Sequence, residues 1–270
     1  MESLKHFIPD IDASSGAVVI LSGGLDSTVA TRLAVELYGK DKVHALSFEY
    51  GQKQAVELEM AATTCHNLGV KHSIVNLRVL GDIARGFSAN IAGTSIKMPT
   101  IQDVVGDPRP ATYVPNRNMI MLSIAASYAE VNGLDKVICG LQSRDEYSYH
   151  DCTPEFIQQL NNALGMNRKH TVEIIAPFNY LTKAQEIEIL RTLDGDINLL
   201  YNTLTCYDPK IEYLGGNRRD HSNKVVVSCG VCPSCAERIK NFAVVGEIDP
   251  IQYAIDIPWE KLLVSSSRQL

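Results

Sequence analysis

"AVVILSGGLDSTVATRLAVELYG", residues 17–39, decides how this chain is read. "AVVILS" (17–22) is a short apolar run rich in Val and Ile, the pattern of a parallel strand buried on both faces. In "DSTVATRLAVELYG" (26–39), Val29, Leu33, Val35 and Leu37 recur at roughly helical spacing, and Gly39 is placed to end the helix. A loop that leaves a buried strand and opens a helix exposes N–H groups without partners, and the helix dipole adds positive potential; an anion belongs there. Gly23 and Gly24 let the backbone lie close to a phosphate, and Ser22, Ser27 and Thr28 offer hydroxyls. The stretch is neither a Walker loop, which ends in Gly-Lys-Ser/Thr, nor a dinucleotide loop with a third glycine three residues after the pair.

Working outward, the alternation continues. Strands are expected at 42–50 and 71–77, with a helix at 52–69 between them stopped by Gly69. From Arg78 to Pro115 glycines and prolines break any period, and a loop that long is usually functional or mobile. Helices follow at 118–133, 153–164 (N-cap Thr153) and 182–193 (N-cap Thr182), with strands at 136–141 and 172–178. The pattern predicts an α/β fold, a doubly wound parallel sheet of Rossmann-like type. Residues 1–200 would form it. After 201 the character changes to Cys, Gly and polar residues with one short helix (234–246), which predicts a small helical metal-binding C-terminal module over 201–270.

The whole chain sets outer bounds. Its 270 residues are 45% hydrophobic and 21% charged, ordinary globular composition. A net charge of -6 argues against nucleic acid as main partner, since phosphate binding relies on clustered Lys and Arg. No apolar run reaches the roughly 18 residues needed to span a bilayer, and "MESLKHFIPDIDASSG" lacks a signal peptide's order, so a cytoplasmic protein is expected.

Of seven cysteines, Cys229, Cys232 and Cys235 fall within seven residues, with Cys206 upstream. Thiolates that close call for a cation, and four make the tetrahedral site preferred by structural zinc. Free thiols and an iron–sulfur cluster are the alternatives, but the ferredoxin run would place a fourth Cys where Ile239 stands. The spacing leaves Cys206 and His221 both open as fourth ligand. Cys65 and Cys139 sit at apolar positions and read as core.

"SGGLDS" (22–27) resembles letter for letter the SGGxDS signature of the PP-loop ATP pyrophosphatases, whose nucleotide fold is of the adenine nucleotide alpha hydrolase type. With "FEYGQ" (48–52), "TYVPNRN" (112–118), "DCTPEF" (151–156), "LTKAQ" (181–185) and "TCY…CGVCPSC" (205–235), the chain further resembles the 7-cyano-7-deazaguanine synthases over about residues 17–245. That resemblance implies a carbon–nitrogen ligase using ATP, Mg2+, a structural Zn2+ and ammonia, commonly a homodimer. It would convert 7-carboxy-7-deazaguanine to the nitrile precursor of queuosine through an adenylated carboxylate and an adenylated amide.

Carried over by position, Leu21, Ser22, Gly23, Gly24, Leu25, Asp26, Ser27 and Thr28 would hold ATP, within a loop reaching Thr31. Asp26 has two readings, a plain helix N-cap or, in the family, a group near the phosphates and their magnesium. Asp26, Arg117 and Lys183 are the candidate catalytic residues, the two cations steadying phosphate or adenylate charge. Tyr50, Gln52, Asn118, Asp145, Tyr149 and Asp151 are the candidate substrate contacts, and Cys206, Cys229, Cys232 and Cys235 match the zinc quartet. The chain departs from the family at Gln54, at Leu204, at Ser148-Tyr149-His150, and in a long insertion at 208–228. Other readings remain: a PP-loop ligase that stops at the amide or uses another acceptor, and a PP-loop enzyme that thiolates tRNA. Glutamine-dependent relatives carry an amidotransferase domain, often with an N-terminal Cys; here residue 2 is Glu, so free ammonia is expected.

Overall fold

A computed structural model describes residues 15–99, 111–143, 150–166, 172–213 and 224–266. Strand β1 (Ala17–Ile20) lies at the centre of the sheet and leads through the glycine loop into helix α1 (Leu25–Tyr38). There follow β2 (Val43–Glu49), α2 (Glu57–Leu68), β3 (Lys71–Asn76), α3 (Arg78–Ala84), α4 (Arg117–Val131), β4 (Lys136–Ile138), α5 (Pro154–Leu164), β5 (Glu173–Ile175) and α6 (Lys183–Asp194). The five strands pair in the order β3-β2-β1-β4-β5, all parallel. The register sets Val18 opposite both His44 and Val137.

Side chains of a strand alternate between faces, so β1 feeds two cores. Ala17 and Val19 join Val29 and Leu33 of α1 and Ile187 and Leu190 of α6 on one side. Val18 joins Leu122, Ala125 and Ala129 of α4 and Leu80 of α3 on the other. Ala17, Val18 and Val19 are fully buried, which is why this strand reads as an unbroken apolar run. The doubly wound sheet expected from the sequence is thus present.

Helix ends follow local chemistry. Thr153 Oγ1 accepts from the Phe156 N–H at 3.2 Å, and Thr182 and Gln185 form a reciprocal capping box. Gly39 closes α1 with φ 80°, its N–H donating to the Val35 carbonyl. Three expectations need correction. The second helix begins at Glu57, not 52, because Gln52 bridges to Ile91 and Lys53 to Val56 form turns. The segment after Arg78 opens with α3, and the chain then passes back over the sheet edge, where the Ala92 N–H donates to the Gly51 carbonyl at 2.8 Å. The fourth strand stops at Ile138 because Gly140 must pass Asp26 and Ser27: a Cβ there would lie 2.9 Å from backbone atoms of both.

Beyond residue 200 the chain holds more than the one helix anticipated. Strand β6 (Lys210–Tyr213) pairs antiparallel with β7 (Lys224–Ser228), helix α7 (Pro233–Val244) follows, β8 (Gln252–Tyr253) pairs parallel with β7, and α8 (Trp259–Ser266) ends the described chain. The described part of the 208–228 insertion thus contains an antiparallel strand pair. Leu200 and Phe242, both fully buried, pack into the core of α1 and α6. Arg238 of α7 is buried in a network of its own: Nε and Nη2 donate to Asp249 at 2.6 and 2.9 Å, and Nη1 to Thr203 Oγ1 at 2.8 Å. Tyr253 donates its hydroxyl to the same Asp249 at 2.6 Å; burial first, then the Asp249 charge, holds that phenol protonated. Among the described residues no helix is long and apolar enough to cross a membrane.

Candidate active site

In an open parallel sheet, ligands bind beyond the carboxyl ends of the strands where the strand order reverses. Here that point lies between β1 and β4, and a cavity of about 330 Å³ opens there, large enough for a small ligand. Leu21, Ser22, Asp26 and Ser27 line one end. Gly23 has φ 91°, and a Cβ on it would collide with the carbonyl oxygen of Glu57, so only glycine fits between loop and α2. Ser22 and Ser27 brace the turn: their hydroxyls lie 3.0 Å apart, the Ser22 N–H donates to Ser27 Oγ, and the Gly24 N–H donates to Ser22 Oγ, both at 3.2 Å. Gly24 is the N-cap of α1, which removes the reading of Asp26 as the cap. Asp26 sits in the first turn, where the N–H groups have no intrahelical acceptor. Gly24, Leu25 and Thr28 are not part of the cavity lining, and Thr28 Oγ1 is buried with no partner among the described residues.

Lys183 opens α6 and is buried, with Nζ 2.9 Å from Glu237 Oε2, 3.0 Å from Gln142 Oε1 and 3.8 Å from Asp26 Oδ2. Gln142 passes the contact on, donating Nε2 to Glu186 Oε1. Glu186 is fully buried, and burial together with the Asp26 charge pushes its carboxyl well above the usual carboxylate range. The cation thus stands beside the phosphate loop in a frame of amide and carboxyl groups. Neither Gln142, Glu186 nor Glu237 was singled out in the sequence; the contacts Lys183–Gln142, Gln142–Glu186 and Lys183–Glu237 join residues 41, 44 and 54 positions apart, which no short-range spacing marks.

At the other end stand Tyr50, Glu57, Asn90, Arg117 and Asn118. Arg117 and Asn118 begin α4 after Asn116, whose φ of 56° turns the chain into the helix. Asn118 Nδ2 donates to the Asp151 carbonyl at 3.3 Å and accepts Arg117 Nε on its own Oδ1 at 3.3 Å. Gln52 lies behind the wall: its Oε1 accepts the Tyr50 N–H and its Nε2 donates to the Phe48 carbonyl and to Glu57 Oε1. These bonds make Gln52 a clip that shapes the turn after β2, and its side chain is not part of the cavity lining. The Asp151 side chain is likewise not part of the cavity lining. Asp145 and Tyr149 lie outside the described residues. Glu57 and Asn90 are additions to the expected set, Asn90 being buried with Nδ2 bonded to the Thr112 carbonyl and Oδ1 without a partner among the described residues.

The third wall comes from the C-terminal part. Leu204, Thr205, Cys206 and Tyr207 face the cavity, and the Leu204 N–H donates to the Gly23 carbonyl at 2.8 Å. Gln54 and Leu204, two departures noted in the sequence, both make seams here, Gln54 Nε2 donating to the Tyr207 carbonyl at 2.7 Å. Cys206, Cys229, Cys232 and Cys235 bring four sulfurs within 4.8 Å of one another, with Cys229 and Cys235 3.9 Å apart. A tetrahedral ion with metal–sulfur bonds of about 2.3 Å needs sulfurs about 3.8 Å apart. Backbone N–H groups of Asp208 and Cys229 donate to Cys206 Sγ at 3.3 and 3.2 Å, and that of Cys232 to Cys229 Sγ at 3.3 Å, as thiolates require. The quartet fits a closed four-sulfur metal site. His221, the other candidate ligand, lies outside the described residues.

A parallel sheet with a glycine loop at its switch point, an aspartate in the first helical turn and a lysine beside it defines a nucleotide-binding α/β protein of the PP-loop class. Within that class the chain belongs to the QueC family: the family model described as "Queuosine biosynthesis protein QueC" matches residues 16–246. It is 38% identical over 241 residues to a 7-cyano-7-deazaguanine synthase of Marinomonas sp. (strain MWYL1), covering 89% of this chain and 99% of the relative. To the protein of that name from Geobacter sulfurreducens it is 39% identical over 246 residues, covering 88% and 92%. Among solved structures, the NH3-dependent NAD synthetase of Campylobacter jejuni aligns over 73% of this chain and 70% of that one, with TM-score 0.40 and 19% identity.

Proposed function

We propose that this chain is a 7-cyano-7-deazaguanine synthase, a ligase that joins ammonia to 7-carboxy-7-deazaguanine at the expense of ATP and carries the amide on to the nitrile for queuosine or a related deazapurine. The observation that carries the reading is the single cavity whose walls are the SGGLDS loop, Lys183, Arg117 and the four-cysteine module, in a chain matching the family over residues 16–246. A carboxylate oxygen is a poor leaving group and AMP a good one, so activation at the α-phosphorus makes amination feasible. In this reading the loop N–H groups and the Ser22 and Ser27 hydroxyls hold the diphosphate end of ATP, and helix α1 adds its dipole. Lys183 and Arg117, at opposite ends of the cavity, balance charge as diphosphate and then AMP depart. Asp26 would hold Mg2+, which when bound neutralises phosphate oxygens. Tyr50 and Asn118 would meet the deazaguanine, and Asp145 and Tyr149 are proposed as further contacts.

The four cysteines would hold Zn2+ as a structural ion, since the site is closed by protein sulfur. We further read 1–200 as the nucleotide-binding domain and 201–270 as the metal-binding module, free ammonia as the nitrogen source, a homodimer as the assembly and the cytoplasm as the location. Mass spectrometry of products from 7-carboxy-7-deazaguanine, ATP and ammonium tests the reading. A nitrile product with AMP and diphosphate is expected; arrest at the amide, or no product, would refute it.

A further inference from the structure

Among the described residues, the cavity holds one carboxylate that the phosphate loop and the lysine do not engage. Asp26 and Glu237 both lie against Lys183, and Glu186 sits behind it bonded to Gln142. Glu57 stands apart, at the first position of α2, with its own carbonyl packed on Gly23 of the loop and its side chain on the cavity wall. Gln52 Nε2 holds Oε1 at 3.2 Å, and Gln52 is itself pinned between the Phe48 carbonyl and the Tyr50 N–H. One oxygen is thus fixed by a rigid clip, while Oε2 makes no hydrogen bond among the described residues. The group is positioned between the phosphate loop and the end of the cavity lined by Tyr50, Arg117 and Asn118.

Its surroundings suit proton transfer near neutral pH. Burial pushes the carboxyl up to about 7, against the Gln52 hydrogen bond and the Arg117 charge, which pull it down. Among the described residues, the other titratable groups facing the cavity are Asp26, Lys183 and Glu237 at the loop end, Arg117 and Tyr50 beside Glu57, Cys139 after β4, and Cys206 and Tyr207 on the metal module. Burial pushes the Cys139 thiol up to about 12, so it stays protonated. A group that titrates near the working pH is the effective general base.

We propose that Glu57 is the general base of the steps that follow each adenylation. The inference rests on the proposed function above. In the first, ammonia attacks the acyl carbon of the adenylated acid. A C–N bond forms, the C–O bond to AMP breaks with its electron pair leaving on AMP, and the surplus proton on nitrogen passes to Glu57. In the second, the adenylated amide loses its remaining N–H proton to Glu57 while its C–O bond breaks to release AMP, leaving the nitrile. No oxidant or reductant is involved.

The test separates the two halves of the cycle in Glu57→Gln, which keeps the shape and the Gln52 contact. Adenylation is read as exchange of labelled diphosphate into ATP, dependent on 7-carboxy-7-deazaguanine and without ammonia. Later steps are read as amide and nitrile formation, with unprotonated ammonia held constant across pH 5.5–9. The variant is expected to keep exchange within about threefold and to lose a hundredfold or more in amide and nitrile formation. The acidic limb near pH 7 should vanish in Glu57→Gln and persist in Glu57→Asp. A smaller loss, a parallel loss of exchange, or an unchanged acidic limb would overturn the assignment. Absence of exchange in the unmodified enzyme would instead overturn the function on which it rests.

Discussion

Replacing Asp249 by Asn tests the buried centre of the C-terminal part. Arg238 is 1% exposed and the Asp249 side chain 0%, and the two meet through paired bonds of 2.6 and 2.9 Å. Arg238 also lies over the Phe242 ring, 5.3 Å from its centroid. Asparagine keeps the shape but leaves a guanidinium buried without its counter-charge, an uncompensated charge that costs about 3–5 kcal/mol. For a chain of this size each kcal/mol moves Tm by about 2–4 °C, so a fall of roughly 6–20 °C is expected. Calorimetry and urea unfolding at fixed metal concentration measure it. The paired change Arg238→Met with Asp249→Leu should cost clearly less than the two single changes together, because no lone charge remains. If Asp249→Asn shifted Tm by less than about 2 °C, or the paired change cost the full sum, the claim that this charge is dry and balanced by the Asp249 carboxylate would fail.

Removing the metal should reach the nucleotide, since Leu204 bonds Gly23 and Cys206 lines the cavity: chelation, or Cys232→Ser, is expected to lower Tm and weaken ATP binding at least tenfold by calorimetry, and unchanged ATP affinity would contradict this. Gly23→Ala should abolish measurable ATP binding, because its Cβ meets the Glu57 carbonyl, whereas Gly39→Ala, with φ 80° and open space around it, should cost only about 1–2 kcal/mol of stability and leave ATP affinity intact. Stability itself should depend on pH through Glu57. Its folded pKa lies above the ordinary 4.5, so the fold binds the proton more tightly, and stability declines as pH rises from about 4.5 through about 7. The loss is at most about 3 kcal/mol, less where cavity water screens the group, and the gap between urea midpoints at pH 5 and pH 8 should narrow in Glu57→Gln, the raised Glu186 carboxyl keeping part of it.

What could be read in advance was local. The β1 run, the glycine pair and the α1 stripe are contiguous, and Thr153 and Thr182 act within three residues of themselves, so spacing alone sufficed. The cysteine quartet was legible because three thiols crowd one turn and helix start. Helix α3 escaped because it is short, carries Gly81, and leaves Val79 and Ile83 exposed, so no apolar stripe marks it. The sheet beyond residue 200 escaped for a related reason: Lys210 to Tyr213 is mostly exposed and β8 is two residues long, pairing that only tertiary contact can hold. Glu57, Gln142 and Glu237 were invisible as site residues because the cations that face them, Arg117 and Lys183, are brought in by the chain's crossovers, and nothing in the residue type of Gln52 marks that its amide serves backbone groups within four residues.

The central claim is that ATP in the β1–β4 crevice is attacked at its α-phosphorus by the substrate carboxylate. It is tested most directly by turning over 7-carboxy-7-deazaguanine labelled with 18O in its carboxyl group and weighing the nucleotide released. AMP carrying one 18O atom, with unlabelled diphosphate, is the expected result. Unlabelled AMP, or ADP in its place, would contradict the account.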